Sequence, residues 1–150
     1  MAKKYNHVFL SYCHDNTAEV SQLRDDLLSA GEEVWWDKDI LYGQDWKQEI
    51  RKAMRQSYAV LVCFSKETEA RSESGVYPEL SDAIEAYRNY EPGEIFLIPV
   101  RLSECEIPLV EIDATRTLDR LQIADLFPPA DRPAGLRRLV DSIRKSAHHP

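Results

Sequence analysis

The chain has 150 residues, enough for one domain with its own core, since a chain of this size buries about two-thirds of its unfolded surface. Its net charge of −7 excludes the phosphate-neutralising surface that a nucleic-acid binder needs, and it argues against docking on anionic lipid. No apolar run is long enough to span a bilayer, Lys3 and Lys4 lead into no secretory h-region, and the odd, unevenly spaced Cys13, Cys63 and Cys105 point to a reducing, cytoplasmic setting without a disulfide framework or a metal site.

Apolar segments alternate in kind along the chain. Val8-Phe9-Leu10 is a short strand-like run ending at Ser11-Tyr12. Val20, Leu23 and Leu27 then recur at helical spacing, with Asn16 and Glu19 spaced as an N-terminal capping pair and Gly31 placed to close the helix. Val34-Trp35-Trp36 reads as a second strand. Trp46, Ile50, Ala53 and Met54 follow the 3.6 period again. Tyr58 to Phe64 has the continuous apolar character of a strand buried on both faces. Val76, Leu80, Ala83, Ile84 and Tyr87 form a third helical stripe, and Ile95 to Val100 a fourth strand. Ser103 to Asp113 allows only a short irregular helix, and Thr115 to Leu118 is the candidate fifth strand. Leu136, Leu139, Val140 and Ile143 give a closing helix after a proline-rich stretch.

Strand and helix in alternation specify an α/β domain. Five strands fit a flavodoxin-like three-layer sandwich best: a parallel sheet in the order 2-1-3-4-5 with helices on both faces. We read 1–150 as a single domain with its core at about 5–145, and 146–150 as a tail or the start of a linker.

In such sheets, ligands bind beyond the carboxyl ends of the strands where the strand order reverses, here between strands 1 and 3. That places Ser11, Tyr12, Cys13 and His14 after strand 1, and Ser65 and Lys66 after strand 3, at the expected site. Asp37 to Asp45 and Ser65 to Gly75 are both longer than ordinary βα loops, which suits binding. Pro78 suits a first helical position, so Glu79 falls in the first turn, where the helix dipole favours an ionised carboxylate. Only five glycines are present, with no phosphate loop and no Gly-x-Gly-x-x-Gly, so a Rossmann-type redox enzyme is not expected. Trp35 and Trp36 point to opposite faces of a regular strand, one into the core and one toward the site.

These residues carry a resemblance. Val8-Phe9-Leu10-Ser11-Tyr12 resembles the first box of a TIR (Toll/interleukin-1 receptor) domain. Val34 through Trp46, reading VWWDKDILYGQDW, resembles its second strand and BB loop. Val60-Leu61-Val62-Cys63-Phe64-Ser65 matches the third strand, and Tyr77-Pro78-Glu79-Leu80 sits where the family carries its catalytic glutamate. The Trp-rich wording looks bacterial.

The resemblance implies an NAD+ nucleosidase, a hydrolase that cleaves the nicotinamide–ribose bond to give nicotinamide and ADP-ribose or, as a cyclase, a cyclic ADP-ribose isomer. NAD+ would be substrate, with no further cofactor. Glu79 would be the catalytic residue. Ser11, Tyr12, Cys13, His14, Trp35, Asp37, Lys38, Ser65, Lys66 and Tyr77 would contact the substrate. Self-association, with a filament as one form, would run through Ile40, Leu41, Tyr42, Gly43 and Trp46 of the BB loop. A linked sensor domain and a role in anti-phage defence also follow from the family. The family's other branch, a non-catalytic TIR–TIR interaction module, is the alternative. Gly75 stands where many members have tryptophan.

Overall fold

Side chains alternate across a strand, and β1 (His7–Ser11) uses that alternation fully: Val8 and Leu10 enter one hydrophobic cluster and Phe9 another. A computed structural model describes residues 5–70, 97–107, 111–114, 116–146 and 149. Within them, β1 is followed by a 3-10 turn (His14–Asn16) and α1 (Thr17–Ser29), then β2 (Val34–Trp35) and α2 (Trp46–Arg55). β3 (Ser57–Phe64), the short α3 (Lys66–Ala70) and β4 (Leu97–Arg101) come next. β5 (Glu111–Asp113), β6 (Arg116–Thr117), β7 (Ala124–Asp125) and α4 (Arg132–Arg144) complete the described strands and α-helices, with further 3-10 turns at Asp37–Asp39 and Leu118–Arg120.

Five parallel strands form one sheet in the order β2-β1-β3-β4-β7, the flavodoxin-like arrangement expected from the alternating pattern. β3 is central and buried along its whole length. Ala59, Leu61 and Cys63 face Val20, Leu23 and Leu27 of α1 and Leu139, Val140 and Ile143 of α4. Val60, Val62 and Phe64 face Ile50, Ala53 and Met54 of α2. Helices therefore cover both faces. Burial pushes the Cys63 thiol up to about 12, which keeps it protonated and inert.

The fifth strand differs from the expected one. Residues 116–117 pair antiparallel with 111–113 in a separate hairpin, and Ala124–Asp125 takes the sheet edge beside β4. Arg101 fixes that edge: its guanidinium donates to both carboxylate oxygens of Asp125, at 2.7 and 2.9 Å, and to the Cys105 carbonyl. The irregular helix allowed over Ser103 to Asp113 is likewise absent from its described part, where 111–113 is strand. The loop expected from Ser65 opens instead as α3.

Helix ends follow local chemistry. Asp45 caps α2 by accepting from the Lys47 and Gln48 amides. Gly31, at φ +92°, ends α1 in the left-handed conformation expected of it. The Asn16–Glu19 capping pair does not form; Asn16 makes no side-chain cap bond and turns elsewhere. Glu32 is buried, its side chain 3% exposed. It accepts from the Tyr58 hydroxyl at 2.8 Å and lies 3.0 Å from His149 Nε2. Arg144 stands 3.8 Å off, and Ser146 donates to the Tyr58 carbonyl. The third helical stripe, 76–87, lies outside the described residues.

Candidate functional site

At the carboxyl end of β1, Phe9, Leu10, Ser11 and Tyr12 meet Trp35, Asp37 and Ile50 around a narrow cleft of about 20 Å³, room for one water or hydroxyl. The Ser11 hydroxyl is the unusual group. Ser11 is 3% exposed, and its Oγ has no hydrogen-bond partner among the described residues. A buried orphan of this kind costs stability unless a ligand or water completes it.

The other walls are firmly held. The Tyr12 hydroxyl donates to Asp37 Oδ1 at 2.5 Å, and its ring tilts against Trp36 at 6.0 Å. Burial first, then the Asp37 carboxylate, raise the Tyr12 pKa far above the ordinary phenol range, so this hydroxyl stays a donor. Trp35 and Trp36 divide as their alternation requires. Trp36 is buried in the α1–α4 side of the core, while Trp35 is half-buried on the other face, stacked on Phe9 at 5.1 Å and more loosely on His7. Lys38 lies over the Trp36 ring at 5.9 Å, and Arg24 at 5.1 Å.

Ser65 and Lys66 sit at the carboxyl end of β3 as expected. The Ser65 hydroxyl donates to Asn16 Oδ1 at 2.7 Å, and the Lys66 amide donates to Ser103 Oγ, leaving the Lys66 side chain exposed. Cys13 is a half-exposed free thiol, and His14 opens the 3-10 turn. Glu79, Tyr77 and Gly75 lie outside the described residues. A larger cavity, about 370 Å³, lies between Leu97 and Ile98, the segment Leu121 to Asp125, and α4; it shares no residue with the cleft above β1.

Residues 8–140 match the family model described as "TIR domain", which is most of the chain. The chain belongs to the TIR domain family. No curated protein matches it. Among solved structures, it is similar to the TIR domain of the Toll-related receptor TRR-2 from Hydra magnipapillata, with 19% identity, a TM-score of 0.67, and coverage of 91% of this chain and 97% of that one. A metazoan TIR-STING receptor from C. gigas, solved with 2′,3′-cGAMP, gives 18% identity and a TM-score of 0.70 over 97% of this chain and 42% of that one. The TIR domains of the activated Roq1 resistosome, which directly recognises the pathogen effector XopQ, give 20% identity and a TM-score of 0.64 over 93% and 99%. At these identities the likeness is one of fold.

In this TIR domain the BB-loop residues divide by environment. Ile40 packs partly against the α2 side of the core, whereas Leu41, Tyr42 and Trp46 are exposed apolar side chains. Gly43 stands at φ +90°, a conformation that a Cβ disfavours. The Tyr12–Asp37 bond ties the start of this loop to the end of β1. Two groups of residues escaped the sequence reading. Phe9 and Ile50 line the cleft but carry only core signals. Thr68 bonds to Ser65 from three residues on, and Asn16 bonds to it from 49 residues away, a partnership that nothing in local spacing announces.

Proposed function

We propose that this TIR domain is an NAD+ nucleosidase of the bacterial type, releasing nicotinamide and ADP-ribose or a cyclised isomer, and active when copies associate. The observation that carries the reading is the cleft above β1, where a buried hydroxyl without a partner stands beside an aromatic ring and a carboxylate, at the edge where parallel sheets take ligands. The cleft has room for a single hydroxyl, so a ribose hydroxyl is the substrate group that suits Ser11 there, with the planar ring lying outside it. Glu79 is the catalytic residue in this scheme. An ionised carboxylate there stabilises the oxocarbenium-like transition state and holds ribose hydroxyls. Ser11, Tyr12, Cys13, His14, Trp35, Asp37, Lys38, Ser65, Lys66 and Tyr77 surround the substrate. Defence against phage is the wider role the family suggests.

The exposed Leu41, Tyr42 and Trp46 favour a second reading, a non-catalytic module that docks other TIR domains through the same loop. One experiment separates the two. Concentrated protein is incubated with NAD+ and nicotinamide is followed. Glu79→Gln is expected to slow release by about 10²–10³-fold, the usual loss on removing a transition-state electrostatic contact. Tyr42→Asp, at an exposed position, is expected to lower release while leaving the circular dichroism spectrum unchanged. No release by the concentrated wild-type protein, or equal release by Glu79→Gln, overturns the enzymatic reading.

A further inference from the structure

The carboxyl ends of β1 and β3 are joined by a buried polar network. Asn16 is 2% exposed and sits at the first turn of α1 without capping it. Its Oδ1 instead accepts from Ser65 Oγ at 2.7 Å, and its Nδ2 donates to Glu67 Oε2 at 3.3 Å. The Ser65 hydroxyl also accepts from the Thr68 amide at 3.2 Å. Thr68 Oγ1 in turn accepts from the Ser65 amide and donates to the Ser65 carbonyl, both at 2.7 Å. The next amide, Lys66, donates to Ser103 Oγ at 3.0 Å, which brings in the loop after β4.

Three strand-end loops thus share one set of bonds at the point where the strand order reverses. Buried amide and hydroxyl groups that are fully paired hold a single geometry, because any shift leaves one of them unsatisfied. Ser65 has its hydroxyl committed on both sides, so its contribution to a ligand site is to fix Asn16. Asn16 is then the only described side chain in the network that comes from the loop after β1, the loop that begins at Ser11 and Tyr12.

We infer that Asn16 is a positioning residue: it sets the spacing between the loops after β1 and β3, and through it the placement of Ser11 and Tyr12, the β1 wall of the cleft that receives substrate. The inference takes its substrate from the NAD+ reading, whereas the network itself does not depend on that reading. Glu67 is the sensitive partner. Its carboxylate is held below the ordinary range first by its own amide and then by Asn16 and Ser65.

The test uses the full chain and four variants: Asn16→Ala, Asn16→Asp, Glu67→Gln, and Asn16→Asp with Glu67→Gln. Amide exchange and nicotinamide release from NAD+ are measured on each. Asn16→Ala is expected to lose protection in both 12–16 and 65–68 while central β3 stays protected. The KM for NAD+ rises about tenfold, within what an ångström-scale misplacement costs. Loss of folded protein alone would lower kcat and leave KM unchanged. Asn16→Asp sets a carboxylate against Glu67 and shows the same losses. Adding Glu67→Gln restores them, because the introduced amide donates to the introduced carboxylate; Glu67→Gln alone is near wild type. Unchanged exchange at 65–68 in Asn16→Ala, or no rescue by the second substitution, overturns the inference. Wild-type protein that releases no nicotinamide overturns the NAD+ reading alone, and the exchange pattern still decides the role of Asn16.

Discussion

His7 shows how one side chain can give a fold its pH dependence. Its Nε2 donates to the Ala53 carbonyl at 2.7 Å, linking the start of β1 to α2. Burial is the largest influence on the ring and holds its pKa below the ordinary 6.5, against the weaker raising pull of the Ala53 bond, Asp39 and Glu33. The unfolded chain therefore binds the proton more readily than the folded one. Stability from this source is fully present above pH 6.5 and is lost as pH falls through the lower folded-state value. Thermal melts between pH 7 and 5 are expected to show a falling midpoint, with a shallower fall in His7→Gln, which keeps a donor for Ala53. An equal slope in the variant would remove His7 as the cause. The sequence does not announce the bond from His7 to Ala53, which joins residues 46 positions apart. It could not show that Tyr12 and Asp37, both read as substrate contacts, bond to each other, because that pairing joins residues 25 positions apart.

Close approach of two elements turns on a single missing atom. A Cβ at Gly135 in α4 would lie 2.3 Å from the Asp125 carbonyl oxygen, so β7 and α4 touch through backbone. Glycine in a helix ordinarily gives up about 1 kcal/mol relative to alanine. Overpacking costs about 1–3 kcal/mol, and here it wins because the neighbour is backbone and cannot swing away. Gly135→Ala is expected to lower stability by up to about 2 kcal/mol in urea titration, the upper end of the difference between those terms. A stabilised variant would show that β7 yields freely. The same region explains which elements were legible. Continuous apolar runs announced β1, β3 and β4, and 3.6-residue stripes announced α1, α2 and α4, since each buries enough side chain to impose its period. β7 has only two residues, one of them charged, and is held by Arg101 rather than by an apolar pattern. Thr115 to Leu118 looked more like a strand, and Leu118 is indeed fully buried, but under the α2 side of the sheet.

Across the whole molecule, the charge is uneven. Glu67 to Glu91 carries seven acids and two bases, while Arg132 to Lys145 carries five bases and one acid. Part of that basic helix is already spent, since Arg132 pairs with Asp26 and Arg144 approaches Glu32. Strand order alone points to the carboxyl ends of β1 and β3; the cleft does open at the end of β1, but its other walls come from β2 and α2 rather than β3. The individual partners there were not legible, because they are set by contacts between distant segments. The junction of Glu32, Tyr58, Ser146 and His149 bears on where this domain can be cut. Its carboxylate comes from the turn after α1, its phenol from the central strand, and its imidazole from beyond α4. A fragment trimmed after Lys145 keeps every helix and strand described, yet leaves a buried carboxylate short of a partner, at about 1–3 kcal/mol. Such a fragment is expected to melt several degrees lower than the full chain and to be clipped sooner by protease. An unchanged melting point would make residues 146–150 dispensable. Expression boundaries for this domain are therefore better drawn beyond His149 than at the last turn of its final helix.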